Sequence, residues 1–219
     1  MSSPAINLCN SVISPVKTAK NLGVIFDDNF TFHDFLMAKC RAASFALYKI
    51  GKIRPYLDQQ TTERLVHALV MCHLDYCNGL LFNIPDKFLH KLQVIQNSAA
   101  RLVMRSKKYD SVTPILRTLH WLPVRQRIIF KLLLIGYQCY HTASPNYLYE
   151  LLCKYESGRS LRSTQKCLLV VPQTNTKSYG QRSFSFAVPS LWNGIPYSIK
   201  TASSIHSFKA SLKTYLFDF

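Results

Sequence analysis

The chain has 219 residues, room for one large domain or two small ones, and its 48% hydrophobic and 12% aromatic content excludes general disorder. Only 17% of the residues are charged, yet 27 Lys and Arg face 11 Asp and Glu, a formal net charge of +16. That balance on a foldable chain points to a polyanionic partner, usually nucleic acid or less often an anionic membrane surface, while 7 Gly and 10 Pro exclude collagen-like and low-complexity architectures.

In chain order, the apolar runs at 11–16 and 21–27 flank a short polar link and predict a strand pair. After Thr31 the period changes. Phe35, Ala38, Ala42, Phe45, Ala46, Lys49 and Ile53 recur at helical spacing, Asp34 favours the first turn and Pro55 closes the helix. A second helix follows Asp58, with Leu65, Ala68, Leu69, Cys72, Tyr76 and Leu80 expected on its inner side. Pro85 opens a third, carrying Phe88, Leu92, Ile95, Ala99, Leu102 and Val103.

Pro114 begins a short helix at 115–119, Pro123 a longer one at 124–141, and Pro145 another reaching about residue 154. No self-similar period links these helices, so a repeat solenoid is excluded. From Glu156 to Gln181 the texture turns polar, broken by the strand-like Cys167-Leu168-Leu169-Val170-Val171. A final helix carries Ile205, Phe208, Leu212 and Leu216. The expected fold class is mainly α: a short N-terminal β-hairpin, a helical bundle and a smaller mixed C-terminal region.

Seven cysteines at 9, 40, 72, 77, 139, 153 and 167 contain no CxxC, so no zinc ribbon or thioredoxin-like motif is expected. The first residues lack the pattern of a signal peptide, and the apolar run at 128–137 is too short to span a bilayer. The expectation is an intracellular protein, in nucleus or cytoplasm, with reduced thiols and no membrane partner.

Phe26-Asp27-Asp28 resembles the paired aspartates that hold two magnesium ions in polymerases. No carboxylate precedes Asp27 to complete such a site, so a turn or cap leading into helix 31–54 is the expected role. His67, Cys72, His73 and Cys77 are metal-ligand types, but one continuous helix cannot wrap four ligands around an ion, and Cys72 is expected in the core. His120 beside Trp121 has no nucleophile in a recognisable setting. Neither a catalytic residue nor a metal site is expected.

Charge position is more telling. Residues 101–131 hold Arg101, Arg105, Lys107, Lys108, Arg117, Arg125, Arg127 and Lys131 against Asp110 alone, and Arg159, Arg162, Lys166, Lys177 and Arg182 cluster in the polar stretch. Such segments can neutralise phosphates and release counterions.

The order of motifs then resembles a known family. Leu22-Gly23-Val24-Ile25-Phe26-Asp27, Leu74-Asp75-Tyr76-Cys77-Asn78, Gln96-Asn97-Ser98-Ala99-Ala100-Arg101 and Leu119-His120-Trp121-Leu122-Pro123-Val124 are followed by Pro145-Asn146-Tyr147-Leu148, Arg159-Ser160-Leu161-Arg162-Ser163, Leu191-Trp192-Asn193-Gly194-Ile195-Pro196 and Phe208-Lys209-Ala210-Ser211-Leu212-Lys213-Thr214. Together, over about residues 6 to 217, they resemble the C-terminal part of the reverse transcriptase of LINE-type, non-LTR retrotransposons of the jockey-like kind.

That resemblance implies a primer-grip-like end of the palm at 1–30, a helical thumb at 31–155 and a C-terminal extension at 156–219. It also implies an RNA-directed DNA polymerase whose catalytic aspartates, fingers and magnesium lie outside this chain, so that the chain alone is no enzyme and needs no cofactor. The implied partners are RNA, DNA or an RNA–DNA hybrid, and the palm and fingers of the same polymerase. The residues expected to contact nucleic acid are Arg101, Arg105, Lys107, Lys108, Arg125 and Arg127, with Lys17 and Lys20 near the primer and Arg159 and Arg162 in the polar loop. The alternative is a retroelement-derived module that binds another protein through its apolar helices, or a remnant without function.

Overall fold

The computed structural model describes residues 6–8, 11–155 and 167–218. β1 (Ile6–Leu8) pairs antiparallel with β2 (Ser11–Ile13), and β3 (Thr18–Asn21) with β4 (Val24–Asp27). The sequence predicts one pair between 11–16 and 21–27; each segment instead takes a nearer partner. Leu22 (φ 46°) and Gly23 (φ 78°) close a two-residue turn, and positive φ at both central positions matches the twist of the strands they join. Space also favours glycine here, because a Cβ at Gly23 would come within 3.1 Å of the Tyr76 hydroxyl.

Helix starts are set by the residues before them. Asp27 accepts hydrogen bonds from the backbone N–H groups of Thr31 (2.8 Å) and Phe32 (2.7 Å), which fixes the entry to α1 (His33–Ile53). Asp58 caps α2 (Gln59–Val66) by accepting from the Thr61 N–H at 2.6 Å. A π turn (His67–Met71) separates α2 from α3 (Cys72–Asp75). Next come α4 (Asp86–Met104), α5 (Val112–Thr118), α6 (Val124–Thr142) and α7 (Asn146–Tyr149). The last three are α8 (Phe184–Gly194), α9 (Tyr197–Lys200) and α10 (Ile205–Phe217). A proline stands immediately before α4, α6, α7 and α9, where its fixed φ suits the entry and its missing N–H leaves nothing unpaired. The chain is thus mainly helical behind a small N-terminal β element, as its sequence predicts.

The buried faces of the first two helices differ from expectation. In α1 the buried residues are Phe35, Leu36, Cys40, Ala43 and Ile50, whereas Phe45 and Ile53 are 60% and 47% exposed. Along 59–75 the extra residue of the π turn rotates the C-terminal part of the run, so Val66, Val70, Met71 and Leu74 are buried. Ala68, Leu69, Cys72, Tyr76 and Leu80, expected inside, are exposed.

α6 is the central helix, packed against α3, α4, α8 and α10. Gly136 lets it approach α8, since a Cβ there would lie 2.6 Å from Val188 Cγ1. Trp192 is fully buried, stacks near Tyr140 with ring centroids 5.2 Å apart, and donates its Nε1–H to the Cys167 carbonyl at 2.8 Å. Phe208 of α10 stacks on Tyr137 at 4.2 Å. Buried Gln96 donates to the Leu122 carbonyl, and Gln93 accepts from the Val124 N–H, which fastens α4 to the start of α6. Asn193 exchanges two hydrogen bonds with the backbone of Leu169 (2.8 and 2.9 Å), holding the 167–171 segment as a strand would. No helix among the described residues is long and apolar enough to cross a membrane.

Candidate nucleic-acid interface

The end of α4 is built around a cation that the sequence does not single out. Arg54, just past α1, is 7% exposed and donates to the carbonyls of Leu102 (2.8 Å), Val103 (2.8 Å) and Leu57 (2.7 Å). It thereby satisfies two of the last α4 carbonyls and faces the negative end of the helix dipole. Burial lowers its pKa, the Arg105 charge lowers it further, and Asp58 opposes both.

α4 stops one residue earlier than an i, i+4 pairing of Arg101 with Arg105 requires. Arg105 is the left-handed cap (φ 52°), so the two side chains diverge rather than share a face. Arg105 donates to the Leu57 carbonyl at 3.3 Å and remains exposed. Arg101 donates to the Asp110 carbonyl at 3.0 Å, and its Nε is buried with no acceptor. Asp110 accepts from the Lys107 N–H at 2.7 Å, closing a tight turn at 107–110 that leaves the side chains of Lys107 and Lys108 exposed beside Tyr109, itself 92% exposed.

Arg125 and Arg127 sit elsewhere. Arg125 pairs with Asp86 at the first residue of α4, so it lies about a helix length, roughly 28 Å, from Arg105. Arg127 has only 18% of its side chain exposed and forms a two-pronged pair with Asp75, with Nε 2.8 Å from Oδ1, tying α6 to α3. The charge count for 101–131 misses both carboxylates because they come from other elements. The six expected cations therefore do not form one stripe; Arg105, Lys107 and Lys108 form a corner. Lys17 and Lys20 are exposed on the β3–β4 hairpin. Arg159 and Arg162 lie outside the described residues.

Arg182, read from sequence only as one of a basic cluster, is a tie. It donates to the carbonyls of Phe30 (2.9 Å) and Leu80 (3.1 Å) and lies over the Phe32 ring at 5.2 Å. Burial lowers its pKa, while Asp27 and Tyr179 act to raise it. Open clefts of about 820 and 630 Å³ flank it, one toward Pro85 and Lys87, the other toward Lys131 and Tyr147. Asp27 holds the turn that leads into α1, the first of the two roles expected of it, while no side chain caps the helix itself. Burial raises the Asp27 pKa, but the hydrogen bonds it accepts from Thr31, Phe32 and Asn29 outweigh that in sum and hold the carboxyl below its usual range.

α3 ends at Asp75 and Cys77 lies beyond it with φ 52°, so His73 and Cys77 do not share a helical face; Cys72, expected in the core, is exposed. Among the described residues no three His, Cys, Asp or Glu side chains come together as metal ligands would. Trp121 and Trp192 are packing anchors at 2% and 0% exposure.

No family model, curated protein or solved structure matches the chain.

Proposed function

We propose that the chain binds nucleic acid through the cationic corner at the end of α4, gripping the phosphates of an RNA–DNA duplex as the thumb of the reverse transcriptases it resembles grips template and primer. The observation that carries this reading is the trio Arg105, Lys107 and Lys108, exposed and in no ion pair with a carboxylate among the described residues, beside the Arg54 cap of α4 and on a turn closed by Asp110. Phosphate contacts of this kind read shape and charge and carry no base code. Lys17 and Lys20 lie on the hairpin that leads into the start of α1, about 30 Å of helix from Arg54, and are not part of this corner. Arg127, spent on Asp75, and Arg125, paired with Asp86, contribute little. Both Asp27 oxygens are engaged by backbone donors, which supports a structural role for Asp27, and the reading leaves catalysis to other parts of a polymerase.

The test is the triple variant Arg105→Gln, Lys107→Gln, Lys108→Gln. Its affinity for an RNA–DNA hybrid should fall about equally for unrelated sequences. The slope of log affinity against log salt should flatten by up to about 0.9 for each phosphate no longer neutralised. An unchanged slope, with the circular dichroism spectrum of the native chain retained, would refute the reading.

A further inference from the structure

α1 has two opposite faces. Phe35, Leu36, Cys40, Ala43 and Ile50 look inward. On the far side Arg41, Phe45, Tyr48 and Lys52 fall within about 60° of one another around the axis, given 3.6 residues per turn, and Lys49 flanks them. The row runs about 16 Å along the helix and continues into Tyr56 of the next turn of chain.

These rings are left in water to an unusual degree. Phe45 is 60% exposed, Tyr48 61% and Tyr56 88%. Cations stand beside two of them: Lys49 Nζ lies 4.4 Å from the Phe45 centroid and Lys52 Nζ 5.2 Å from that of Tyr48. None of the ion pairs among the described residues uses Arg41, Lys49 or Lys52, and no acidic residue occurs between Asp34 and Asp58. The face is thus aromatic and uniformly positive.

We infer that the outer face of α1 is a track for single-stranded nucleic acid, with bases stacking on Phe45, Tyr48 and Tyr56 and phosphates meeting Arg41, Lys49 and Lys52. Stacking rings interleaved with cations are the two components of sequence-tolerant single-strand binding. A duplex cannot use the rings, because its bases already stack on each other. The proposal does not rest on the duplex grip, which uses other residues on another element.

The test measures anisotropy of labelled oligo(dT) and oligo(rU) of about 16 nucleotides, at low and high salt, with the full chain. Replacing all three rings (Phe45→Ala, Tyr48→Ala, Tyr56→Ala) should weaken single-strand binding at least ten-fold at both salts while leaving hybrid binding unchanged. The substituted side chains lie on the surface, so the fold should survive. Phe45→Trp supplies a second readout: Trp121 and Trp192 are buried, so the new indole alone should lose emission when the single strand is added. Native affinity in the ring variant would overturn the assignment, as would an unquenched indole. Loss of a native dimer in the ring variant, with single-strand affinity intact, would also overturn it and give the face to a second copy of the chain. If the hybrid goes unbound by every protein while the ring effect holds, the duplex reading falls and this one stands.

Discussion

Replacing Arg54 by methionine keeps much of the apolar stem and removes the guanidinium. Two carbonyls at the end of α4, those of Leu102 and Val103, are then left without their donor, and that of Leu57 keeps only the 3.3 Å hydrogen bond from Arg105. Each hydrogen bond to a charged donor contributes on the order of 1.5–3 kcal/mol net. Losing the two bonds that only the guanidinium makes, to Leu102 and Val103, gives a destabilisation of about 3 kcal/mol or more. With a urea slope of roughly 2–3 kcal/mol/M, the unfolding midpoint should drop by about 1 M. Arg54→Lys should fall between, since an ammonium cannot span three acceptors in a planar fork. Urea titrations followed by circular dichroism decide it. A midpoint for Arg54→Met within about 0.2 M of the native value would mean that water serves these carbonyls as well as Arg54 does.

Gly136→Ala should destabilise by about 1–3 kcal/mol, because its methyl lands 2.6 Å from Val188 Cγ1, and adding Val188→Ala should restore most of the stability in thermal melts. Burial, reinforced by the neighbouring Cys167, pushes the Tyr140 hydroxyl up from 10.0 to about 12. The folded chain therefore holds that proton more tightly, so the stabilising contribution is full below pH 10.0 and is lost as pH rises to about 12. Denaturation across that window should show a steeper fall for the native chain than for Tyr140→Phe, and equal slopes would refute the assignment.

What is legible in the sequence is local. Asp58, Pro85, Pro123 and Ser204 act on the next turn of chain, so helix starts can be read directly. Faces are harder. Ala38, Ala42 and Ala46 imitate an apolar stripe in α1, but the bulk that is buried lies on Phe35, Leu36 and Ile50, and a stripe of small residues carries little burial. The π turn at His67–Met71 has no Gly or Pro to announce it, and it moves Cys72 out of the core, while the break after Asp75 takes Leu80 off the helix altogether. The interface is the least legible. A cation's freedom depends on carboxylates and carbonyls brought in from far along the chain: Arg127 meets Asp75 across 52 residues, and Arg54 meets Leu102 across 48. Helical spacing puts Phe45 in the core for the same reason, since it does not say which side of α1 has a neighbour.

α6 bears on how this protein can be cut into pieces. One side of it faces α3 and α4, and the other carries Gly136, Tyr137 and Tyr140 against Val188, Phe208 and Trp192. Tyr137 also donates its hydroxyl hydrogen to the Ala202 carbonyl at 2.8 Å. A truncation at residue 155 would strip that second side and leave a wet aromatic ridge, prone to self-association. The basic corner at the end of α4 is thus best assayed with residues 156–219 still attached, and a weak result from a shorter piece would report the damage to α6 before it reported anything about phosphates.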